Sequence, residues 1–75
     1  YIKTVNWLLM TNNVKVQRAI ANITQAQLAE KIGVSRQTIN AIEAKKYVPS
    51  TVLALKIAKL FGKSIHEIFE LDDED

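Results

Sequence analysis

None of the 75 residues is cysteine, so neither a disulfide framework nor a thiolate metal site is open to this chain, and its chemistry suits a reducing cytoplasm. A single histidine, His66, offers no imidazole pair for a metal and reads as a helix-surface residue near a cap. No Ser/His/Asp or Cys/His set stands out, and most carboxylates gather at one end where no fixed pair geometry is held, which makes an enzyme the weakest class. Glycine occurs twice and proline once, with no Gly-rich phosphate loop, internal repeat or low-complexity stretch. No apolar run approaches the roughly 20 residues that span a membrane. Only Lys3 precedes the short apolar run at the start, and no cleavage pattern follows it, so a signal peptide is not expected. No motif asks for a cofactor, a metal or a small-molecule ligand.

What is present is unevenly charged. The formal net charge of +2 conceals five carboxylates among the last six residues, Glu70 to Asp75, and ten basic against three acidic side chains in the rest. Such a body suits a polyanion. The acidic end reads as a solvated tail, and the sharper alternative is that it screens the basic face. The length is that of one domain, which at this size buries only about 60% of its unfolded surface and gains from a partner subunit. The segmentation that follows is an extension at 1–9, a domain at 10–69 and the tail at 70–75.

Residues 24–46, TQAQLAEKIGVSRQTINAIEAKK, are the most informative. Thr24 with Gln27 forms a capping box, so a helix is predicted from Gln25. Leu28, Ala29 and Ile32 lie on one face of that helix and Gln27, Glu30 and Lys31 on the other. Gly33 ends it in the left-handed conformation. Val34 follows as an apolar plug, and Ser35 caps a second helix whose interior positions are Ile39 and Ile42. Small Ala29 beside the turn lets the two helices cross steeply. Arg36, Gln37 and Asn40 are left pointing outward on the N-terminal half of the second helix, and these side-chain types pair with base edges: Arg with guanine, Gln or Asn with adenine. Ser35 and Gln25 stand at helix N-termini, where a phosphate is favoured. The bland alternative is a solvated face on an ordinary helical bundle.

TQAQLAEKIGVSRQTINAIE resembles the DNA-binding motif of the Cro/XRE-type helix-turn-helix family, to which phage repressors and many small regulators belong. The likeness runs from Val14 to Phe69, and KKYVPSTVLALKIAKLFGKSIHEIF is similar to the last two helices of the family's fold. The resemblance implies an all-α, five-helix lambda-repressor-like helix-turn-helix domain, with room for short terminal strands. It implies base-facing positions for Arg36, Gln37, Asn40 and Ala41, the last able to touch only a thymine methyl. Gln25, Ser35, Thr38, Lys45, Lys46 and Tyr47 would lie along the phosphates. Arg18 and Glu43 match a pair that ties the first helix to the end of the recognition helix. The family often has Asn-Gly after that glutamate; here Ala44-Lys45 stands there, so either the turn is strained or Lys45 is moved towards the DNA backbone.

Elsewhere, Thr11, Asn12 or Asn13 caps a first helix running through Val16 and Ile20 to Ala21, with Asn22 as its left-handed exit. Pro49 and Ser50 precede a helix from about Thr51 to Phe61, closed by Gly62, and Ser64 with Glu67 caps a last short helix. In the fourth helix Ala54, Leu55, Ala58 and Phe61 are expected to face inward. Leu53, Ile57 and Leu60 form a second stripe that, with Ile65, Ile68, Phe69 and Leu71, is expected to make a two-fold dimer interface; packing within the monomer is the alternative. The apolar residues Val5, Trp7, Leu8 and Leu9 would add a strand against Phe69 to Leu71 or cover that interface. The expectation is a cytoplasmic, dimeric repressor that binds double-stranded DNA at an inverted repeat, its reading helices about 34 Å apart. The alternative from another class is a protein-interaction module, such as an antitoxin or coactivator bridge, on the same fold.

Overall fold

The computed structural model describes residues 10–71, and the expectations for Val5, Trp7, Leu8 and Leu9 lie outside them. Five helices follow a short first strand: β1 (Met10–Asn12), α1 (Val14–Ala21), α2 (Gln25–Ile32), α3 (Arg36–Glu43), α4 (Thr51–Phe61), α5 (Ile65–Ile68) and a closing strand β2 (Phe69–Leu71). The two strands pair antiparallel, Met10 opposite Leu71 and Asn12 opposite Phe69. The partner of the Phe69–Leu71 strand is thus Met10–Asn12, and the strand runs two residues past Phe69.

Local chemistry sets the helix ends. The Thr24 hydroxyl accepts the Gln27 N–H at 3.0 Å and the Gln27 side chain accepts the Thr24 N–H at 2.8 Å, which satisfies two donors at the start of α2. Ser50 accepts from the Leu53 N–H at 3.2 Å, and Glu67 accepts from the Ser64 N–H at 2.7 Å. The first helix is capped from one residue earlier than its cap position, since Asn12 Oδ1 accepts the Val14 N–H at 3.1 Å. Four helices exit through a left-handed residue: Asn22, Gly33, Lys45 and Gly62, with φ of 60°, 79°, 63° and 66°. In each, the following residue's N–H reaches back to a carbonyl of the last turn, as in Ile23 to Arg18 and Lys46 to Ala41.

The core unites Val14, Leu28, Ala29, Ile32, Ile39, Ile42, Leu53, Ala54, Ile57, Ala58, Ile68 and Phe69. Leu28, Ile39, Ile42 and Ile57 are wholly buried, each contributing about 1.5–3 kcal/mol by its removal from water. The packing corrects the reading of α4. Its inward stripe runs through Leu53, Ala54, Ile57 and Ala58, whereas Leu55, expected inside, is 51% exposed. Leu53, Ile57, Ile68 and Phe69 are therefore filled into the chain's own core and present no free surface for a second subunit; of the expected interface residues only Leu60, Leu71 and half-buried Ile65 reach the outside. Ile57 is central because Leu53, Ala54 and Phe61 lie three or four residues from it, on the same side of the helix. The first helix contributes Val14, while Val16 and Ile20 face outward.

Candidate nucleic-acid interface

The α2–α3 pair is the most extensive helix contact of the domain, and its turn is built as the residues dictate. Gly33 takes a φ of 79°, its N–H donates to the Ala29 carbonyl at 2.8 Å, and Val34 is half-buried against the core. Ser35 then starts α3 in extended conformation, its Oγ accepting the Thr38 N–H at 3.1 Å and lying 3.0 Å from Thr38 Oγ1. With Ile39 and Ile42 wholly buried, α3 cannot roll. Arg36, Gln37 and Asn40 are left exposed on it and Ala41 half-buried beside them. The turn after α3 adds Lys45, Lys46 and Tyr47, all exposed, so a cationic rim borders the polar helix.

One network crosses behind this face. Arg18 Nε meets Glu43 Oε2 at 2.6 Å and Arg18 Nη2 meets Glu43 Oε1 at 3.1 Å, a two-pronged pair, while Arg18 Nη1 donates to the Ile23 carbonyl at 3.1 Å. The expected tie between the first helix and the end of α3 is thus geometrically present. Gln25 Nε2 donates to Glu43 Oε1 at 3.0 Å and to Asn40 Oδ1 at 3.4 Å. Burial pushes the Glu43 carboxyl up, but the bonds from Arg18 and Gln25, with the attraction of Arg18 and Lys15, outweigh it and leave the group below the usual carboxylate value. The bond to Glu43 raises Arg18 against the opposing effect of burial.

The Gln25 side chain, expected along the phosphates, is therefore engaged inward, and what the start of α2 offers outward is its first-turn main-chain N–H groups. Beside it a depression is lined by Arg18, Asn22, Ile23, Thr24, Gln25 and Arg36. Sequence reading overlooked both this junction and a second tie at the far end of α3, where Asn12 Nδ2 donates to the Ile42 carbonyl at 2.9 Å. Three-residue spacing of Asn40 and Glu43 on one helix face was the available signal; the 15-residue separation from Gln25 hid its partner.

Two capped helices joined at a left-handed glycine, the second holding polar side chains outward over a buried aliphatic stripe, form the helix-turn-helix arrangement used by DNA-binding domains. The helix-turn-helix family model matches residues 14–68, and the chain belongs to that family, in its Cro/XRE-type branch. It is 56% identical over 66 residues to an uncharacterized HTH-type transcriptional regulator of Methanocaldococcus jannaschii, covering 88% of this chain and all of that one. The uncharacterized HTH-type regulator YgzD of Bacillus subtilis is 47% identical with the same coverage. Among solved structures, a candidate DNA-binding protein from Bacteroides fragilis superposes with a TM-score of 0.74 at 31% identity, covering 81% of this chain and 98% of that one. A hypothetical transcription factor from Neisseria shares the fold at a TM-score of 0.68 and 22% identity, over 83% and 69% of the two chains.

Proposed function

We propose that this chain is a sequence-specific transcriptional regulator that binds an inverted-repeat operator as a homodimer and represses by occupying a promoter. One observation carries the base-reading role: α3 buries Ile39 and Ile42 and turns Arg36, Gln37 and Asn40 outward, from its first turn to its middle, the part of such a helix that faces a major groove. Arg36 supplies the fork for guanine, and Gln37 and Asn40 supply amides. Ala41, half-buried beside Gln37, offers a methyl contact to thymine. Ser35, Thr38, Lys45, Lys46, Tyr47 and the start of α2 at Gln25 take the backbone, where phosphate contacts fix register.

Dimerisation belongs to the same proposal, because one domain of this size gains from a partner and two α3 helices would match a two-fold operator. The surface proposed for it keeps only part of the set the sequence indicated, because Leu53, Ile57, Ile68 and Phe69 are buried in the chain's own core. Leu60 and Leu71 remain of that set on the outside, 38% and 75% exposed, and Val52 and Leu55 join them.

The test is enrichment of bound sequences from a random duplex pool at about 150 mM salt, where non-specific binding is weak. An inverted repeat is the expected product, and Arg36→Ala should then lose about 1–3 kcal/mol on that site while binding to random duplex is nearly unchanged. No enrichment by folded protein, or equal losses on both kinds of DNA, would refute base reading by α3.

A further inference from the structure

We infer that Gln25 is a positioning residue that fixes which end of the Asn40 amide faces the DNA, so that Asn40 reads hydrogen-bond acceptors on the base edge. The inference rests on the base-reading role proposed for Asn40 and goes beyond it by assigning a polarity. An asparagine amide is nearly symmetrical in shape, with an accepting oxygen at one end and a doubly donating nitrogen at the other. Left alone in water it presents either end after a half-turn of its last torsion. Neighbours decide the matter here, and they do so in sequence.

The chain of decisions starts at Arg18, whose guanidinium has donors only. Two of its nitrogens face the two oxygens of Glu43, at 2.6 and 3.1 Å, and the third is used by the Ile23 carbonyl at 3.1 Å. Glu43, its side chain only 6% exposed, is thereby an acceptor alone. Gln25 approaches one of those oxygens at 3.0 Å, and only the nitrogen end of its amide can bond there. That nitrogen has a second hydrogen. It lies 3.4 Å from Asn40, where only an oxygen can receive it, so Asn40 turns Oδ1 inward. A charge fixed by Arg18 is converted, through two amides, into a direction at the exposed end of Asn40.

What remains for the DNA is Asn40 Nδ2, with two donors. In the major groove guanine shows two neighbouring acceptors, N7 and O6, and thymine shows O4; cytosine shows the N4 donor, which Nδ2 rejects. Adenine takes its two bonds from an amide offering an oxygen and a nitrogen together, and Asn40 has its oxygen turned towards Gln25. Asn40 therefore favours guanine, with two acceptors, over thymine O4 or adenine N7, which offer one each, and disfavours cytosine at the base it faces. The bond to Asn40 is long, so it biases a choice between two amide orientations and does not hold the helix in place. Removing it should accordingly alter discrimination at one base position and leave the others alone.

The experiment measures binding of the full chain to duplexes built on the selected operator, with all four bases placed in turn at each position. Asn40→Ala locates the base that Asn40 faces. The wild type should favour guanine or thymine there over cytosine by about tenfold. Gln25→Met, of similar length but with no N–H, should flatten that preference to within about twofold while the preferences lost in Arg36→Ala and Gln37→Ala persist. Gln25→Lys, donors only, should keep the wild-type profile. Asn40→Asp, an acceptor that Gln25 still bonds, should move the preference to cytosine, and it provides a second reading should Gln25→Met fold poorly. An unchanged profile in Gln25→Met, equal losses at every position, or a cytosine preference in the wild type would each overturn the relay. If Asn40→Ala alters no position, the base-reading role itself fails and takes the relay with it; if it alters one position that Gln25→Met does not, only the relay fails.

Discussion

Lys45 is the place where this fold is held in a conformation its own side chain disfavours, and replacing it should strengthen the domain while weakening its grip on DNA. Lys45 has a φ of 63° and stands where α2 and α4 use Gly33 and Gly62 and α1 uses Asn22. The left-handed region costs an ordinary L-residue roughly 1–2 kcal/mol. Glycine is free of that cost but gives up about 0.5–1 kcal/mol through the extra freedom of its unfolded chain. The net expectation for Lys45→Gly is a gain of about 0.5–1 kcal/mol. A gain of that size raises the Tm of a domain this small by about 2–8 °C. Lys45→Ala, which keeps a Cβ and the strain, should show no such rise, and Lys45→Asn should fall between. All three remove a cation from the rim beside α3, so if Lys45 lies on a phosphate the salt slope of log affinity should fall by about 0.9 in each. Thermal melts followed by circular dichroism, with DNA titrations at three salt concentrations, read both quantities. A Lys45→Gly melt no higher than that of Lys45→Ala would refute the strain argument.

Lys46→Ala should weaken operator and random DNA by the same factor and lower the salt slope by about one, which filter or anisotropy titrations would show. Because the Glu43 carboxyl is depressed in the folded state, the stability it confers is fully present above the ordinary value of 4.5 and is lost as pH falls through the lower folded value; urea midpoints should drop in that window, and Glu43→Gln should remove that part of the drop. Ile57→Ala should cost about 2–5 kcal/mol, because a wholly buried side chain leaves a cavity. Leu60→Glu, at a surface position, should spare the fold of the single chain yet shift sedimentation towards monomer, and an unchanged sedimentation profile would remove Leu60 from the dimer surface.

Features that depend on a few neighbouring residues are legible in the sequence. The capping pair of Thr24 and Gln27, the exit at Gly33, the Ser35 cap and the outward polar trio of α3 each follow from chemistry confined to one or two turns. The inward face of α4 is not legible in the same way, because apolar residues cover more than one side of it, and only the positions of α2 and α5 decide which stripe is enclosed. Short terminal strands are anticipated, but Met10–Asn12 as the partner of Phe69–Leu71 is not legible for a related reason: three residues are too few to show an alternating period, and the paired positions are 57 to 61 apart. The link from Gln25 to Asn40 is hidden likewise, since nothing local distinguishes an amide aimed at phosphate from one aimed at a neighbouring helix.

The pairing of β1 with β2 places Met10 directly opposite Leu71, at one pole of the domain. Through Asn12 that pole is tied to the last turn of α3, the end remote from Arg36 and Gln37. Neighbouring Cα atoms across such a ladder are about 5 Å apart, so a linker of a few glycines and serines could stitch residue 71 to residue 10. The covalent chain could then be reopened between Tyr47 and Ser50, giving a circular permutant with the same packing in a different order of synthesis. Cargo fused before Met10 or after Leu71 would project from a common point, next to the Lys45 and Tyr47 end of the rim.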